Sequence, residues 1–170
     1  MSRNLHVDIE RLWASIMASA EIGKGSRGGL CRLALGDADR EMRDLFRKWA
    51  DAGGYGVKVD KLGSMFVRRE GREAGLAPVL IGSHLDTQAA GGRFDGILGV
   101  LAGLEVLRTL DAAGIATRRP IEVVNWTNEE GSRFAPAMIA SGVFAGAIPL
   151  ETAYAVTDVD GKSLGAELDR

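Results

Sequence analysis

Apolar and polar positions along the chain follow two different periods, one typical of helices and one typical of strands. Apolar side chains recur at the three- to four-residue spacing of an amphipathic helix in several segments. We expect Asp39 to be the N-cap of the second of these helices, because acidic residues favour that position. The spacing predicts helices over Val7–Ala20, Glu41–Trp49, Ile97–Ala113 and Met138–Ala145, with another after the turn at 158–163.

Four shorter segments have the composition of strands. Tyr55–Val59 and Ser64–Arg69 flank a turn at 61–63 and predict a β-hairpin. Pro78–Ser83 and Ile121–Trp126 are short and almost wholly apolar, which is typical of strands buried on both faces of a parallel sheet. A helix lies between these two runs, so together they predict a βαβ unit. The sequence therefore indicates an α/β fold.

Length, composition and charge exclude several classes of protein. The 170 residues suffice for one domain with its own core. Hydrophobic residues make up 46% and charged residues 26%, and no apolar run approaches the ~20 residues of a membrane span. Acidic and basic residues are mixed along the chain, and the net charge is −2. We therefore expect neither a membrane nor a nucleic acid as partner.

Two features bear on the compartment. The first eight residues are polar and contain no apolar segment of the kind found in secretory signals, so we expect no such signal. The single cysteine, Cys31, cannot form an internal disulfide, which fits a reducing environment. We therefore expect a cytoplasmic protein.

Polar residues follow both apolar strands at the points where the strands end. His84 and Asp86 come just after the first strand, and Glu129 and Glu130 come just after the second. Asp95 precedes the helix between them. The carboxyl ends of neighbouring parallel strands meet at one edge of a sheet, and the connecting helix begins at that same edge. The sequence therefore predicts that one imidazole and four carboxylates converge.

Such a group of acids points to metal ions. Four carboxylates in one pocket repel each other unless cations balance their charge. Imidazole nitrogen combined with carboxylate oxygen suits zinc or manganese better than calcium, which prefers oxygen throughout. The chain has two histidines in all, His6 and His84, so a metal site here depends mainly on carboxylates.

Each of these residues also has a simpler interpretation. Asp95 is placed to be an ordinary helix N-cap, the pair Glu129–Glu130 to be a solvated turn, and His84 to be a hydrogen-bonded histidine at the sheet edge. The glycine-rich loop 91–96 could cradle a phosphate. However, it has no P-loop lysine and does not match the dinucleotide-binding pattern, which disfavours nucleotide binding.

Three blocks of sequence carry a resemblance to a known family. Residues 82–87, 92–100 and 126–134 resemble the aminoacylase/carboxypeptidase-type di-zinc hydrolases. The last block, together with residues 28–34, is similar to the branch that contains N-carbamoyl-L-amino-acid hydrolases, β-ureidopropionases and allantoate amidohydrolases, although threonine is commoner where Cys31 stands. The resemblance implies a three-layer α/β/α catalytic domain of a zinc-dependent exopeptidase-like fold, with a mixed, mostly parallel sheet.

The resemblance also implies a role for each polar residue. His84 would bind one metal ion, Asp95 would bridge two, and Glu130 would bind the other. Asp86 would hold the His84 ring, and Glu129 would be the general base that activates the attacking water. The cofactors would be two divalent ions, Zn²⁺ or Mn²⁺. The substrate would be a small ureido or amide compound, and hydrolysis of a carbamoyl group would release ammonia and carbon dioxide.

This chain departs from the family pattern in what it lacks. The family has two further metal-binding histidines and an inserted domain that forms a homodimer and supplies an arginine for the substrate carboxylate. The sequence has no histidine after His84, so three ligands would serve two metals and the second site would be incomplete. We therefore expect residues 1–170 to be the N-terminal part of a catalytic domain, inactive alone. The alternatives are a non-catalytic binding or assembly module and a related metallodipeptidase or deacylase.

Overall fold

The structure, a computed structural model, describes residues 4–25, 28–73 and 75–170. The first three residues of the polar N-terminal stretch lie outside this description. Six helices and four strands follow one another in the described residues: α1 (Ile9–Ser19), α2 (Asp37–Ala52), β1 (Gly56–Val59), β2 (Met65–Arg69), β3 (Val79–His84), α3 (Ile97–Ala112), β4 (Ile121–Trp126), α4 (Ile139–Phe144), α5 (Leu150–Ala155) and α6 (Leu164–Leu168).

The four strands form one mixed sheet in the order β1-β2-β4-β3. β1 and β2 are an antiparallel hairpin, and β3 and β4 are parallel neighbours joined by α3, so both predicted units are confirmed. The α/β class is confirmed as well. The expectation of a mostly parallel sheet is wrong for the described strands, because β2 pairs with β4 in antiparallel orientation. Two of the three pairings are therefore antiparallel.

Helices lie on both faces of this sheet. On one face, α1, α2 and α3 enclose a core in which Phe46, Leu104, Val67 and Val123 are completely buried. On the other face, Phe144 of α4 lies against the rings of Phe66 and Trp126, with ring centroids 6.0 and 5.0 Å apart. The arrangement has the three α/β/α layers that the resemblance implied.

The core on the first face is the larger of the two apolar clusters in the described residues, so we expect it to contribute most to the stability of the fold. Replacing Phe46 by alanine is expected to lower the free energy of unfolding by about 3–5 kcal/mol, because the ring leaves a cavity in a close-packed interior. Urea unfolding monitored by circular dichroism measures the change. Lys48→Ala, on the exposed side of the same helix, should change it by less than about 0.5 kcal/mol. Equal midpoints for the two variants would contradict this account of the core.

Strand β3 differs from its prediction. Its apolar sequence predicts burial on both faces, but within the described residues it is the edge strand and pairs only with β4. Val79 is 48% exposed and Leu80 is 36% exposed. The prediction of a strand buried on both faces is therefore wrong for this chain. Apolar composition shows that a strand is compatible with burial, but it does not show whether another element covers the strand.

The start of α2 also differs from its prediction. The helix begins at Asp37, after Gly36, so Asp39 is not the N-cap. Asp39 is instead completely buried in the first turn, where its Oδ2 accepts hydrogen bonds from the Leu35 N–H at 2.8 Å and from Arg43 Nε at 2.8 Å. The carboxylate reaches back to a donor before the helix, which a residue of the first turn can do as well as a cap.

The C-terminal part contains one helix that the sequence pattern did not indicate. The short helices α4 and α6 are confirmed, whereas no element was predicted over Leu150–Ala155, where α5 forms. Pro149 directly precedes α5, where its missing N–H removes no helical hydrogen bond. In residues 4–25, 28–73 and 75–170, no helix combines the length and the apolar content that crossing a membrane requires.

Candidate metal centre

The site forms where β3 and β4 end side by side. His84 is the last residue of β3 and lies opposite Trp126, the last residue of β4. The loop after β4 carries Glu130, and the turn before α3 carries Asp95. Donor atoms of His84, Asp95 and Glu130 all lie within 4.8 Å of one another. The parallel register therefore brings together three side chains that the sequence separates by as many as 46 positions, from 84 to 130.

The His84 ring is buried, and its Nε2 atom points toward the acids. His84 is 5% exposed. The Nε2 atom lies 3.9 Å from Asp95 Oδ1 and 3.3 Å from Glu129 Oε2. The side chains of Asp95 and Glu129 are 59% and 31% exposed, so the cluster is open on their side. A buried nitrogen with carboxylates on an open rim is suited to bind a cation that a small molecule can also reach.

Asp95 does not act as a helix cap. The residue before α3 is Gly96, with φ of 66°, and the helix has no side-chain cap bond. A Cβ added at Gly96 would collide with the His84 ring, so the turn requires glycine both for its backbone and for the close approach of the imidazole. The turn leaves the Asp95 carboxylate facing His84. The simpler interpretation of Asp95 therefore fails.

Asp86 connects the loops that follow the two strands. It is 2% exposed, and its carboxylate accepts the backbone N–H groups of Glu129 at 3.3 Å and Glu130 at 3.2 Å. Burial, followed by the nearby Asp39 carboxylate, raises the pKa of Asp86 to about 6, against the opposing effect of His84. Asp86 therefore holds the loop that carries both glutamates.

The His84 ring is held by a backbone group. Nδ1 lies 2.9 Å from the carbonyl oxygen of Asp86 and 3.7 Å from its carboxylate Oδ1. The carbonyl can only accept, so it favours the tautomer with the proton on Nδ1. Nε2 then keeps a free lone pair, which is the form that ligates a metal. In this structure the carbonyl of Asp86, rather than its side chain, makes the closer contact with the ring.

Glu130 shows why these residues fit a cation. Its Oε2 accepts a hydrogen bond from Gln88 Nε2 at 3.1 Å, but its Oε1 is buried and has no hydrogen-bond partner. A buried carboxylate oxygen without a donor is costly, and a divalent ion removes that cost. One imidazole nitrogen and two carboxylate oxygens are donors that zinc and manganese accept, with positions left open for water or substrate.

Two supporting residues were not found from the sequence. Gln88 binds Glu130, and Asn128 closes the glutamate loop, since its Nδ2 donates to the Phe134 carbonyl at 2.7 Å and its Oδ1 accepts the Phe134 N–H at 3.3 Å. Asn128 is completely buried and has φ of 54°, a conformation that asparagine tolerates. Asn128 lies inside the block 126–134 that carries the resemblance, which was the available signal, whereas Gln88 lies one position after the block 82–87.

Comparisons with known proteins agree with this geometry. The sequence profile of Peptidase family M20/M25/M40 matches residues 80–166, which include every residue of the cluster. An N-carbamoyl-L-amino-acid amidohydrolase of Rhizobium meliloti is 57% identical over 98% of this chain and 40% of its own length. Allantoate deiminase 2 of Glycine max is 37% identical over 76% of this chain and 28% of its own length.

A solved structure matches the fold closely. A hydantoinase/carbamoylase family amidase from Burkholderia vietnamiensis superimposes with a TM-score of 0.97 and 58% sequence identity. The match covers 100% of this chain and 41% of that one. The chain therefore spans about two fifths of the length of the Rhizobium meliloti relative and of this solved structure.

Proposed function

This chain belongs to peptidase family M20/M25/M40, and on that premise we propose that residues 1–170 are the N-terminal part of the catalytic domain of a metal-dependent amidohydrolase. Its substrates would be linear amides or amidines of the N-carbamoyl amino acid or allantoate type. Two relatives, the N-carbamoyl-L-amino-acid amidohydrolase and the allantoate deiminase, support this choice of substrates. The observation that carries the proposal is the meeting of His84, Asp95 and Glu130 donor atoms within 4.8 Å.

The cluster would hold two divalent ions, Zn²⁺ or Mn²⁺. His84 would hold one ion, Asp95 would bridge both, and Glu130 would hold the other. The unpaired, buried Oε1 of Glu130 and the free Nε2 of His84 support this assignment. When bound, divalent ions lower the pKa of water and polarise a carbonyl oxygen. Asp86 would keep the loop of Glu130 in place through the two backbone hydrogen bonds that it accepts.

Glu129 would move the proton. Its carboxylate lies beside His84 Nε2 and is 31% exposed, so it borders the open side of the cluster. It would accept a proton from water as the water oxygen bonds to the ureido carbonyl carbon. It would then return the proton to the leaving nitrogen as the C–N bond breaks. This step would leave a carbamic acid, whose loss of carbon dioxide breaks the second C–N bond, so that the products are ammonia, carbon dioxide and the free amino acid.

The chain by itself would have an incomplete metal site and an incomplete substrate site. It spans about two fifths of its relatives and offers three ligands for two metals, so we propose that it does not turn over substrate alone. The whole protein would be a homodimer. We retain the cytoplasm as its compartment on the basis of the single Cys31.

A chimera tests this proposal. In it, this chain replaces the matching 167-residue region of the Rhizobium meliloti relative. With zinc or manganese, the chimera is expected to hydrolyse N-carbamoyl-L-amino acids, measured as ammonia release, and the isolated chain is expected to release none. Turnover by the isolated chain would contradict its proposed incompleteness. A folded, metal-loaded chimera without turnover would contradict the proposed catalytic role.

One observation favours a second candidate function. The edge strand β3 leaves Val79 and Leu80 exposed, which suits association with another polypeptide. The chain would then be a non-catalytic assembly module. Isothermal titration of the isolated chain with zinc distinguishes the two candidate functions. A hydrolase requires metal binding by His84, Asp95 and Glu130, whereas an assembly module does not.

A further inference from the structure

Leu85, between His84 and Asp86, is held on both sides of its backbone by side chains from distant elements. Its N–H donates to Asn125 Oδ1 at 2.8 Å, and its carbonyl accepts from Arg32 Nε at 3.0 Å. Asn125 lies in β4, and Arg32 lies in the segment between α1 and α2. The peptide groups that separate the imidazole from the Asp86 carbonyl are therefore fixed by two contacts outside their own loop.

Arg32 is buried deeply for a charged residue. It is 0% exposed, and its Nη1 donates to the carbonyls of Ser19 and Ile22, each at 3.2 Å. Its own backbone pairs with Thr87, since Arg32 N–H donates to Thr87 Oγ1 at 2.8 Å and Thr87 N–H donates to the Arg32 carbonyl at 2.9 Å. Burial of a guanidinium is costly unless it is well bonded, so this arrangement ties the end of α1 to the loop after β3.

We propose that Arg32 and Asn125 are positioning residues of the metal centre. By clamping the two peptide groups that flank the Leu85 Cα atom, they fix the chain that leads to the Asp86 carbonyl, which lies 2.9 Å from His84 Nδ1. This contact keeps Nε2 directed at Asp95 and Glu129. Without this clamp, rotation about the backbone bonds of Leu85 and Asp86 would withdraw that carbonyl and release the ring. The inference rests on the proposed metal site and adds two residues that touch neither metal nor substrate.

The test measures zinc affinity of the full 170-residue chain by competition titration. Arg32→Met and Asn125→Leu remove the two hydrogen bonds, and each is expected to weaken zinc binding by about 10–100-fold, as loss of a ligand's orienting partner does. The double variant should lose less than the product of the two single losses, because both contacts hold the backbone of the same residue, Leu85. Arg32→Lys, which keeps a donor for the Leu85 carbonyl, should recover most of the affinity.

A matched control separates positioning from general stability. Arg69 is also a largely buried arginine that binds a carboxylate, Asp111, and a carbonyl, Ile115, but it pairs with Ile121 at the far end of the sheet. Arg69→Met is expected to lower the thermal midpoint, and it should change zinc affinity by less than about twofold because distant sites act independently. An equal loss of affinity in Arg69→Met, or none in Arg32→Met and Asn125→Leu, would overturn the inference.

Hydrogen exchange provides a readout that needs no metal. Without zinc, the Leu85 amide should exchange about tenfold or more faster in Asn125→Leu than in the parent, because its acceptor is gone. Unchanged exchange would overturn the clamp even if zinc binds. A parent chain that binds no zinc would instead contradict the proposed function, and the exchange of Leu85 would still decide whether the clamp exists.

Discussion

Replacing Glu129 by glutamine in the chimera is expected to lower kcat by about 10²–10⁴-fold and to leave the bound metal unchanged. The carboxamide keeps the size of the side chain but cannot accept the proton of the attacking water. Glu129 lies 3.3 Å from His84 Nε2 on the open side of the cluster. Ammonia release measures turnover, and elemental analysis measures metal content.

The neighbouring glutamate is the matched control. Glu130→Gln should lose bound metal, because Glu130 contributes a donor atom to the cluster. The two variants differ by one position in the same loop and change the net charge equally. Loss of metal from both variants, or turnover retained in Glu129→Gln, would contradict the separate roles proposed for the pair.

Removal of Asp95 is expected to have the largest effect on the isolated chain. Asp95→Ala should weaken zinc binding by more than about 100-fold, which exceeds the usual loss for an outer-sphere partner, because a donor atom itself is removed. Calorimetric titration measures the affinity. Asp111→Ala, at the other end of α3, removes a carboxylate bonded to Tyr55 and Arg69 and should leave zinc affinity intact. Equal affinities in the Asp95 and Asp111 variants would contradict the assignment of Asp95.

The sequence predicted the part of the site that depends on strand ends. His84 and Glu130 each follow a short apolar run, and the helix between the runs has the length of a crossover. Two parallel neighbouring strands joined by such a helix end at the same edge of the sheet, and this does not depend on the other strands. That rule placed these two residues together, and it needed no knowledge of the other strands.

Contacts between distant segments could not be predicted in the same way. The apolar composition of β3 does not reveal that the strand lies at the edge, since this depends on an element that no local pattern encodes. The antiparallel pairing of β2 with β4 is likewise a contact between separate units. At α2, Asp37 and Asp39 are both residue types that favour the start of a helix. Only the buried hydrogen bond from the Leu35 N–H to the Asp39 carboxylate shows that Asp39 lies inside the first turn.

The roles of individual supporting residues could not be predicted from the sequence either. Arg32 and Asn125 acquire their role from a third residue, Leu85, which is 53 positions from one and 40 from the other. An isolated arginine is expected on the surface, and an asparagine within an apolar strand gives no partner by itself. Burial and hydrogen bonding in three dimensions make these residues informative.

The most direct test of the central claim follows the two histidines of the isolated chain by NMR while one equivalent of zinc is added. His84 and His6 are the only imidazoles, so two variants, His84→Ala and His6→Ala, assign both sets of signals. Zinc is expected to shift the His84 imidazole signals and to leave those of His6 unchanged, and in Asp95→Ala it is expected to leave both unchanged. Zinc that leaves the His84 signals unchanged, or that acts on His6 instead, would contradict the account.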